Sequence, residues 1–469
     1  MKRARRRSVD EASWLRLDPL PGETLRRALE RTLRNAIREG ALRAGVRLPS
    51  SRELAAQIGA SRGVASDVYA QLEAQGFVVM RPRSAPLVAA VPTPALRRPS
   101  SEETPARVPR FDLTSTTPDV TLFPMRHWLA AVRHAAYHAP TRALDYGDPR
   151  GDPALRETLA DHLGRTRGVV ADPAHIVVVQ GVAQGLDLLL RILARRGGSR
   201  VAVEDPSLEG QLRRIQASGL DIVACSVDER GIVIDDVRAD AAIVTPAHQF
   251  PTGTVLRGER RRALLSWASA GGRLVIEDDY DAEFRYDREP VRALQGLDPD
   301  RVAYVGSVSK TLAPALRLGW LVVPADLAGE AASTKRLLDF CTPVLDQLAL
   351  RRFVEVGDYD RHVRHMRAIY RARRDGLIGA LAEHLPEMTV KGVAAGLHML
   401  LQLQPGADDT RIAEQATREG IHVEPLSRYA IDRPDLPALV IGYGRIGGTA
   451  LAPAASALAS AISRAATLA

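Results

Sequence analysis

The first ninety residues contain two stretches whose apolar positions recur at helical spacing and whose ends carry capping signals. The first stretch begins after Thr24, a capping residue, and stops at Gly40. Its apolar residues predict one buried stripe: Leu25, Leu29, Leu33 and Ile37. The second stretch runs from Ser50 to Gly59, and Ser50 and Glu53 have the spacing of a capping box. The pattern therefore predicts two well-bounded helices.

A third helix and a short hairpin complete this region. The helix begins at Ser61 and ends at Gly76, and residues 77–80 and 87–90 are short strand candidates. Three helices and a hairpin, with a short turn between the second and third helices, are typical of a winged helix-turn-helix. A small helical bundle without a ligand would show the same helix pattern, so the choice depends on charge.

The charge of the chain is concentrated at one end. Residues 1–110 contain 21 Lys and Arg against 11 Asp and Glu, a net charge of +10, whereas the remainder carries −2. Such asymmetry indicates an anionic partner, with nucleic acid the first candidate. A solvated basic arm is the alternative, but the excess favours DNA binding when it accompanies a winged helix pattern.

The rest of the chain alternates strands with helical stretches. Residues 91–110 contain five prolines and little apolar periodicity, which is typical of a linker. Beyond them lie short apolar strands: 176–179, 201–203, 242–244, 274–276 and 302–305. The sequence therefore predicts a winged helix-turn-helix domain over 1–90, a linker over 91–110 and an α/β domain with a mostly parallel sheet over 111–469.

Several classes of protein are excluded by composition. No apolar run approaches the roughly 20 residues of a membrane helix, and no apolar segment follows the basic start as in a secretory signal. We therefore expect a cytoplasmic protein. Cys225 and Cys341 lie far apart, without a CxxC pair, so the cysteines suggest neither a zinc site nor a disulfide framework. The histidine pairs 134/138 and 362/365 lack acidic or thiol companions in sequence, so we expect no metal site there.

Lysine is scarce, and one lysine occupies a special place. Of 64 basic residues only four are lysine: Lys2, Lys310, Lys335 and Lys391. Lys310 follows an apolar strand, where an amine that can lose its proton suits Schiff-base chemistry and a guanidinium does not. Ser307, Ser309 and Arg317 beside it offer hydroxyls and a bidentate cation for a phosphate.

Two further segments supply matching groups. Asp278 ends an apolar strand, where a carboxylate can keep a pyridine nitrogen protonated, and Tyr280 can donate to a phenolic oxygen. Residues 180–184 lie between a strand and a helix, a position that favours phosphate. Each feature alone is weak, because acidic loops and Ser-x-Ser-Lys sequences are common. Their order along the chain makes the combination specific.

Nearly the whole chain resembles the MocR subfamily of GntR-type regulators. The N-terminal part resembles it through RLPSSRELA, followed by Ser61-Arg62 and a Gly-Phe entry to the wing. The remainder resembles fold-type I aminotransferases through these motifs: YGDPRG (146–151), EDPSLEG (204–210), HQFPTG (248–253), EDDYDAEFRY (277–286) and SVSKTLAPALRLGW (307–320). The resemblance implies pyridoxal 5'-phosphate (PLP) as cofactor and a double-stranded DNA operator as partner.

The resemblance also implies a role for individual residues. Lys310 would be the catalytic, aldimine-forming lysine, Asp278 the partner of the pyridine nitrogen and Tyr280 that of the phenolic oxygen. Tyr146 would reach the cofactor from the second subunit of a homodimer. The phosphate contacts implied are Gly181, Val182, Ala183, Ser307, Ser309 and Arg317. The implied DNA contacts are Arg52, Ser61, Arg62, Ser66 and the wing residues Arg81 and Arg83.

The chain departs from the aminotransferase pattern at several positions. Phe250 stands where an asparagine usually contacts the phenolic oxygen, and Leu208 where an aromatic residue is common at the cofactor. Val440 takes the place of the arginine that clamps the substrate carboxylate, with Arg445 nearby as a substitute. Losing this bidentate arginine–carboxylate pair in a desolvated site removes on the order of 2–5 kcal/mol of substrate binding and orientation. The wing of the DNA-binding domain also departs from its family pattern, because it lacks glycines at its tip.

Two functions fit this sequence. In the first, the protein is a transcription regulator whose aminotransferase-like domain senses PLP or a small-molecule amine through an aldimine. In the second, it is an active PLP-dependent aminotransferase with an appended DNA-binding domain. The winged domain and Val440 favour the regulator, and a measurement of turnover separates the two.

Overall fold

The structure is a computed structural model that describes residues 17–82, 84–90, 108–286, 291–392, 395–432 and 437–467. The chain divides into two compact units, Met1–Ala106 and Arg107–Ala469. Arg83 and most of the expected linker, residues 91–107, lie outside the described residues. The domain limits at 90 and 111 therefore stay a prediction.

The N-terminal unit has three helices and a hairpin, in the order that the sequence predicts. Its elements are α1 (Leu25–Arg38), α2 (Ser51–Ile58), α3 (Arg62–Ala74), β1 (Val78–Val79) and β2 (Leu87–Val88). Thr24 caps α1, and Ser50 and Glu53 form the expected capping box on α2. Gly59 ends α2 with a φ of +66°, a conformation that favours glycine. Three residues separate α2 from α3.

The core of this unit lies between the three helices. Its buried side chains include Leu29, Leu33, Leu54, Val68, Tyr69 and Leu72. The Tyr69 hydroxyl donates a 2.7 Å bond to the carbonyl of Pro49, which ties α3 to the turn before α2. Leu25 departs from the expected stripe, because its place at the start of α1 leaves it 39% exposed. The strands β1 and β2 pair antiparallel, with Val78 opposite Val88.

The C-terminal unit contains the remaining elements. Its helices are α4 (Met125–His138), α5 (Pro153–Arg167), α6 (Val182–Arg195), α7 (Glu209–Ala217), α8 (Gly258–Gly271), α9 (Ala328–Asp339), α10 (Val344–Glu355), α11 (Asp358–His384), α12 (Asp409–Arg418) and α13 (Leu451–Thr467). Its strands are β3 (Phe111–Asp112), β4 (Ile176–Val179), β5 (Arg200–Asp205), β6 (Asp221–Asp228), β7 (Gly231–Ile232), β8 (Ala241–Val244), β9 (Leu274–Asp279), β10 (Val302–Ser307), β11 (Gly319–Val322), β12 (Thr389–Lys391), β13 (His398–Gln402), β14 (Ile421–His422), β15 (Glu424–Pro425) and β16 (Ala438–Gly442).

An eight-stranded sheet organises this unit. Its order is β4-β11-β10-β9-β8-β5-β6-β7. The neighbouring pairs from β10 to β6 are parallel, whereas β11 runs antiparallel to both of its neighbours. The inner strands β8 and β10 and the edge strand β4 are buried on both faces, which explains their nearly continuous apolar composition. The mostly parallel sheet predicted from the sequence is confirmed.

A smaller sheet, in the order β12-β13-β16-β15, follows the large one in the chain. One face of β13 and β16 packs into a core with helices α11, α12 and α13 through Met399, Leu401, Leu439 and Ile441. The opposite face carries His398, Leu400 and Val440, because side chains alternate along a strand. Among the described residues, none of the helices is both long enough and apolar enough to cross a membrane.

Candidate functional site

The last three residues of β9 are acidic, and their side chains alternate between the two faces of the large sheet. Asp279 accepts bonds of 2.7 Å from the Arg167 Nε and from the Tyr304 hydroxyl. Glu277, two residues earlier and on the same side, accepts two backbone N–H bonds from residues 294 and 295. These two carboxylates are thus engaged in packing the sheet against its surroundings.

Asp278 points to the opposite side and is differently placed. It is 3% exposed, and its Oδ1 has no hydrogen-bond partner among the described residues. The Oδ1 of Asp279 is likewise without a partner there, but the other oxygen of Asp279 accepts from Arg167 and Tyr304. Burial raises the pKa of Asp278 to about 7, and the neighbouring Asp279 adds to the rise while Lys310 opposes it. A buried carboxylate without a donor is costly for the folded protein, and it is the group that a cationic ring nitrogen would satisfy.

Lys310 lies just beyond the next strand. The strands β9 and β10 are parallel, with Asp278 opposite Val305, so Lys310 follows the same edge of the sheet at which β9 ends. Burial lowers the pKa of the Lys310 amine, and the carboxylates of Asp281 and Asp278 oppose this change. A lowered pKa favours the neutral amine that a nucleophile needs.

A candidate phosphate cradle adjoins the lysine. Helix α6 begins after Gly181 without a side-chain cap, so its first backbone N–H groups have no side-chain acceptor. The Arg317 Nη2 donates a 2.7 Å bond to the carbonyl of Gln180. Gly181 has a φ of +80°, and a Cβ there would lie 3.0 Å from the Arg317 guanidinium. Glycine thus lets the backbone approach this cation closely.

Two serines stand on the other side of the cradle. Ser307, at the end of β10, is buried, and its hydroxyl accepts a bond of 3.4 Å from the backbone N–H of Ser309. Gly319, on the adjacent strand, brings β10 and the start of α6 together, since a Cβ there would lie 3.0 Å from the Gly181 Cα. The structure therefore assembles the expected phosphate residues from three separate segments.

Two other expected residues lie at the margin of this assembly. Leu208 is partly buried and packs against an apolar cluster that includes Phe250 and Tyr280. Tyr146 is 79% exposed, and its ring lies 5.3 Å from that of Phe340. The expected contact of Tyr146 with the cofactor of a second subunit stays a prediction.

The departures from the aminotransferase pattern form one apolar wall. Val440 is 0% exposed, and Phe250 is buried with it. The other members of this cluster are Tyr280, Leu400, Leu426, Tyr429 and Ala438. Arg445 does not join them. Its Nη1 donates a 2.9 Å bond to the Asp112 carboxylate, and its side chain is 41% exposed.

Sequence reasoning missed a polar group behind the cradle. The amine of the buried Lys335, on α9, donates to both carboxylate oxygens of Asp339 at 2.8 and 2.9 Å. Asp339 also accepts from the side-chain amides of Gln180 and Gln184, at 3.2 and 2.7 Å. The scarcity of lysine and the four-residue spacing of Lys335 and Asp339 were the signals available in the sequence, whereas the contacts of Asp339 with Gln180 and Gln184 depend on the packing of α9 beside α6.

A second missed group lies on the other side of Tyr280. The buried His248 Nδ1 is 3.0 Å from an Asp281 carboxylate oxygen and 3.0 Å from the Tyr280 hydroxyl. The ring of His398, on β13, has its centroid 4.9 Å from that of His248. Ligand atoms of the two histidines and Asp281 lie within 4.8 Å of one another. The motif HQFPTG contains His248, but its sequence gives no role for the histidine.

The expected DNA contacts of the N-terminal unit differ in their surroundings. Arg52, Arg62 and Arg81 are exposed. Ser61 caps α3, since its hydroxyl accepts from the backbone N–H three residues on, and Ser66 is half-buried. Arg83 lies outside the described residues. Of these arginines, Arg62 stands at the start of α3, the second helix of the helix-turn-helix, which usually lies in the major groove.

The two units together define a class of protein: a winged helix-turn-helix joined to a domain of aminotransferase fold. Residues 25–88 match the family of bacterial regulatory proteins of the gntR type, and residues 111–446 match aminotransferase class I and II. The chain belongs to the MocR subfamily of GntR-type transcription regulators. Its aminotransferase class I and II domain is of a PLP-dependent family.

Similar proteins support this assignment. The HTH-type pyridoxine biosynthesis transcriptional regulator PdxR of Corynebacterium glutamicum is 32% identical over 435 residues, covering 91% of this chain and 94% of its own. The probable rhizopine catabolism regulatory protein MocR of Rhizobium meliloti is 30% identical, covering 90% of each chain. The crystal structure of Pyrococcus horikoshii kynurenine aminotransferase superposes with a TM-score of 0.69 at 26% identity, covering 76% of this chain and 91% of the other.

Proposed function

We propose that this regulator holds PLP at Lys310 and that occupancy of the site changes how its winged domains bind an operator. The observation that carries the proposal is Asp278, whose buried carboxylate has an unpartnered oxygen and lies close enough to Lys310 for each to shift the other's pKa. That arrangement fits a cofactor with a basic ring nitrogen and an aldehyde, and it has no evident structural use.

The residues divide the binding of PLP between them. Lys310 supplies the amine. The Asp278 carboxylate accepts a hydrogen bond from the protonated ring nitrogen, and the Tyr280 hydroxyl faces the phenolic oxygen. The phosphate is held by these groups: the backbone of Gly181, Val182 and Ala183, the hydroxyls of Ser307 and Ser309, and the Arg317 guanidinium. Bound PLP supplies an aldehyde that captures an amine. Leu208 contributes an apolar contact beside the ring.

The apolar wall favours a sensor over an efficient transaminase. A substrate carboxylate placed against Val440 would lose its water shell and gain no cation, since Arg445 is held by Asp112. The effector is therefore PLP itself or an amine that needs no carboxylate clamp. A PLP effector also suits the similarity to a regulator named for pyridoxine biosynthesis.

The working form in this proposal is a homodimer in the cytoplasm. Apolar side chains stand exposed near the cradle: Leu144, Tyr146, Leu337 and Phe340. A second copy would cover them and would bring Tyr146 to the partner's cofactor. Two winged domains would then present Arg52, Arg62 and Arg81 to a two-part operator.

The experiment that tests cofactor binding uses the full chain. Reconstitution with PLP, reduction with borohydride and peptide mass spectrometry should place the label on Lys310. Lys310→Ala should lose the label, and the control Lys391→Ala, at an exposed lysine on β12, should keep it. A wild-type protein that takes up no PLP, or a label on Lys335, would refute the proposal.

A second experiment separates regulator from enzyme. Gel shifts with the upstream DNA, with and without PLP and candidate amines, should show a ligand-dependent change in affinity. Assays with amino-acid and keto-acid pairs should show turnover far below that of a working aminotransferase. Rapid exchange in such an assay would make the enzyme the better description.

A further inference from the structure

Two buried histidines meet beside the candidate cofactor site, and the proposed function does not use them. His248 follows β8 of the large sheet, and His398 begins β13 of the small sheet. Both are buried. Their ring centroids are 4.9 Å apart, and a Cβ on Gly396, two residues before β13, would lie 2.2 Å from the His248 ring. The small sheet therefore packs directly on His248.

Hydrogen bonds fix which nitrogen of each ring carries the proton. The Nε2 of His398 lies 3.1 Å from the carbonyl of Pro251, which only accepts, so this nitrogen carries the hydrogen. The Nδ1 of His248 faces the Asp281 carboxylate at 3.0 Å and donates to it. The remaining nitrogens, Nε2 of His248 and Nδ1 of His398, have no partner among the described residues.

This tautomer determines what Tyr280 can do. The His248 Nδ1 also lies 3.0 Å from the Tyr280 hydroxyl oxygen. Because Nδ1 carries a hydrogen in this tautomer, it cannot accept the tyrosine's hydrogen, so the tyrosine oxygen is the acceptor in this contact. The tyrosine's own hydrogen is then left to point elsewhere. Burial raises the pKa of Tyr280 well above 10, so the hydroxyl keeps that hydrogen. Phe250, whose ring lies 6.3 Å from that of Tyr280, offers no hydrogen bond.

We propose that His248, backed by Asp281, is a positioning residue that fixes Tyr280 as a hydrogen-bond donor to the phenolic oxygen of bound PLP. The His248 N–H bonds to the tyrosine oxygen and so leaves the tyrosine hydrogen free to point towards the cofactor. Phe250, which replaces the usual asparagine, has no group that could donate to the phenolic oxygen. The inference rests on the proposed binding of PLP at Lys310.

The surroundings of Tyr280 contain other ionisable groups. Those that act on it are Asp278, Asp281, Glu204 and Tyr443. His398 is neutral, because burial and the neighbouring His248 lower its pKa well below 6.5. A test must therefore separate an effect through Tyr280 from a general change in this charged pocket.

The readout is the pH midpoint of the visible absorption band of the PLP-loaded full chain. A donor to the phenolic oxygen makes that oxygen a weaker base, so loss of the donor raises the midpoint. Tyr280→Phe should raise it by about one pH unit, because one unit corresponds to about 1.4 kcal/mol, the size of a hydrogen bond to a charged group. His248→Ala should shift it in the same direction by about half as much.

A double-mutant cycle decides whether His248 acts through Tyr280. In the Tyr280→Phe background, His248→Ala should cause no further shift. His248→Asn should restore the wild-type midpoint, because its amide can donate from a position close to that of Nδ1. The control His398→Asn changes a buried ring that has no hydrogen bond to Tyr280 and should leave the midpoint unchanged.

Four results would overturn the inference: an additive effect of the two substitutions, no shift in His248→Ala, an equal shift in His398→Asn, or a stoichiometric metal ion bound by His248, Asp281 and His398. If His248→Ala does not fold, His248→Asn decides instead. A raised midpoint in His248→Asn overturns the inference, whereas a wild-type midpoint in His248→Asn together with a raised midpoint in Tyr280→Phe supports it. A wild-type chain that binds no PLP contradicts the proposed function instead, and this outcome is seen before any titration.

Discussion

Replacing Asp278 with asparagine should stabilise the protein without its cofactor while weakening the binding of PLP. The pKa of Asp278 rises from 3.8 in the reference state to about 7 in the folded protein. At about 1.4 kcal/mol per unit, this rise of about three units means that the ionised carboxylate costs the folded state about 4 kcal/mol above neutral pH. The neutral amide of Asp278→Asn has no such cost.

The pH dependence of this effect has a defined sign. Because the pKa of Asp278 is raised on folding, the folded protein binds this proton more tightly than the unfolded chain does. The stability contributed by the carboxyl is fully present below about pH 4 and is lost as the pH rises through about 7. The mutant should therefore be more stable than the wild type at pH 8, and the difference should vanish towards pH 4. Burial also raises the pKa values of Glu204 and Glu277 to about 7. The contribution of Glu277 is the same in both proteins, whereas Glu204 helps to raise the pKa of Asp278, so its titration is part of the measured difference.

Urea unfolding of both proteins between pH 4 and 8, with and without PLP, measures how the free energy of unfolding depends on pH and on the cofactor. PLP at 100 times its dissociation constant stabilises a folded protein by about 2.7 kcal/mol, and Asp278→Asn should lose most of this gain at the same concentration. Asp279→Asn is the matched control. It breaks a buried pair with Arg167 and should cost about 3–5 kcal/mol without PLP, even at pH 8.

The reasoning would be refuted if Asp278→Asn without PLP were no more stable than the wild type at pH 8. It would also be refuted if PLP stabilised both proteins equally. Equal destabilisation by Asp278→Asn and Asp279→Asn would show that the two neighbouring carboxylates have the same structural role.

Three further substitutions test other parts of the molecule. Gly181→Ala should weaken PLP binding at least tenfold, measured by absorbance titration, because its φ of +80° and the guanidinium 3.0 Å away oppose a Cβ; unchanged affinity would argue against the cradle. Arg445→Ala should leave amine and amino-acid binding unchanged within twofold in the same titration, since Arg445 pairs with Asp112, and a selective loss of amino acids would identify it as the carboxylate clamp. Arg62→Ala should weaken operator binding in gel shifts, either by ~1–3 kcal/mol at one base pair or with a salt slope reduced by about one; wild-type binding would exclude Arg62 from the DNA interface.

Local signals in the sequence predicted the elements well. The capping residues Thr24 and Ser50 mark the starts of α1 and α2, because a cap bonds to backbone only three residues away. The strand 176–179 has the bounds of β4, since a strand buried on both faces is written as an unbroken apolar run. Signals of this kind need no knowledge of the rest of the chain.

Partners that are distant in sequence could not be predicted in the same way. Arg167 and Asp279 pair across 112 residues, and Gln184 and Asp339 across 155. The sequence motifs single out Asp278 for the cofactor, but they do not show that Asp279, on the other side of β9, packs against Arg167 and Tyr304. The contact of His248 with the small sheet likewise depends on how that sheet packs after the chain returns.

The parts of the site that the chain keeps are those that bind a cofactor, and the part that it lacks is the one that orients a substrate. In the proposed function, Lys310, Asp278 and the cradle around Gly181 would each be stabilised when the site is filled, whereas Val440 would offer no cation to a substrate carboxylate. A regulator requires only a difference in free energy between its filled and empty states. The roughly 4 kcal/mol that ionised Asp278 costs the folded protein corresponds to an about 900-fold shift between two states, which is enough to change occupancy of an operator if only one of them binds DNA.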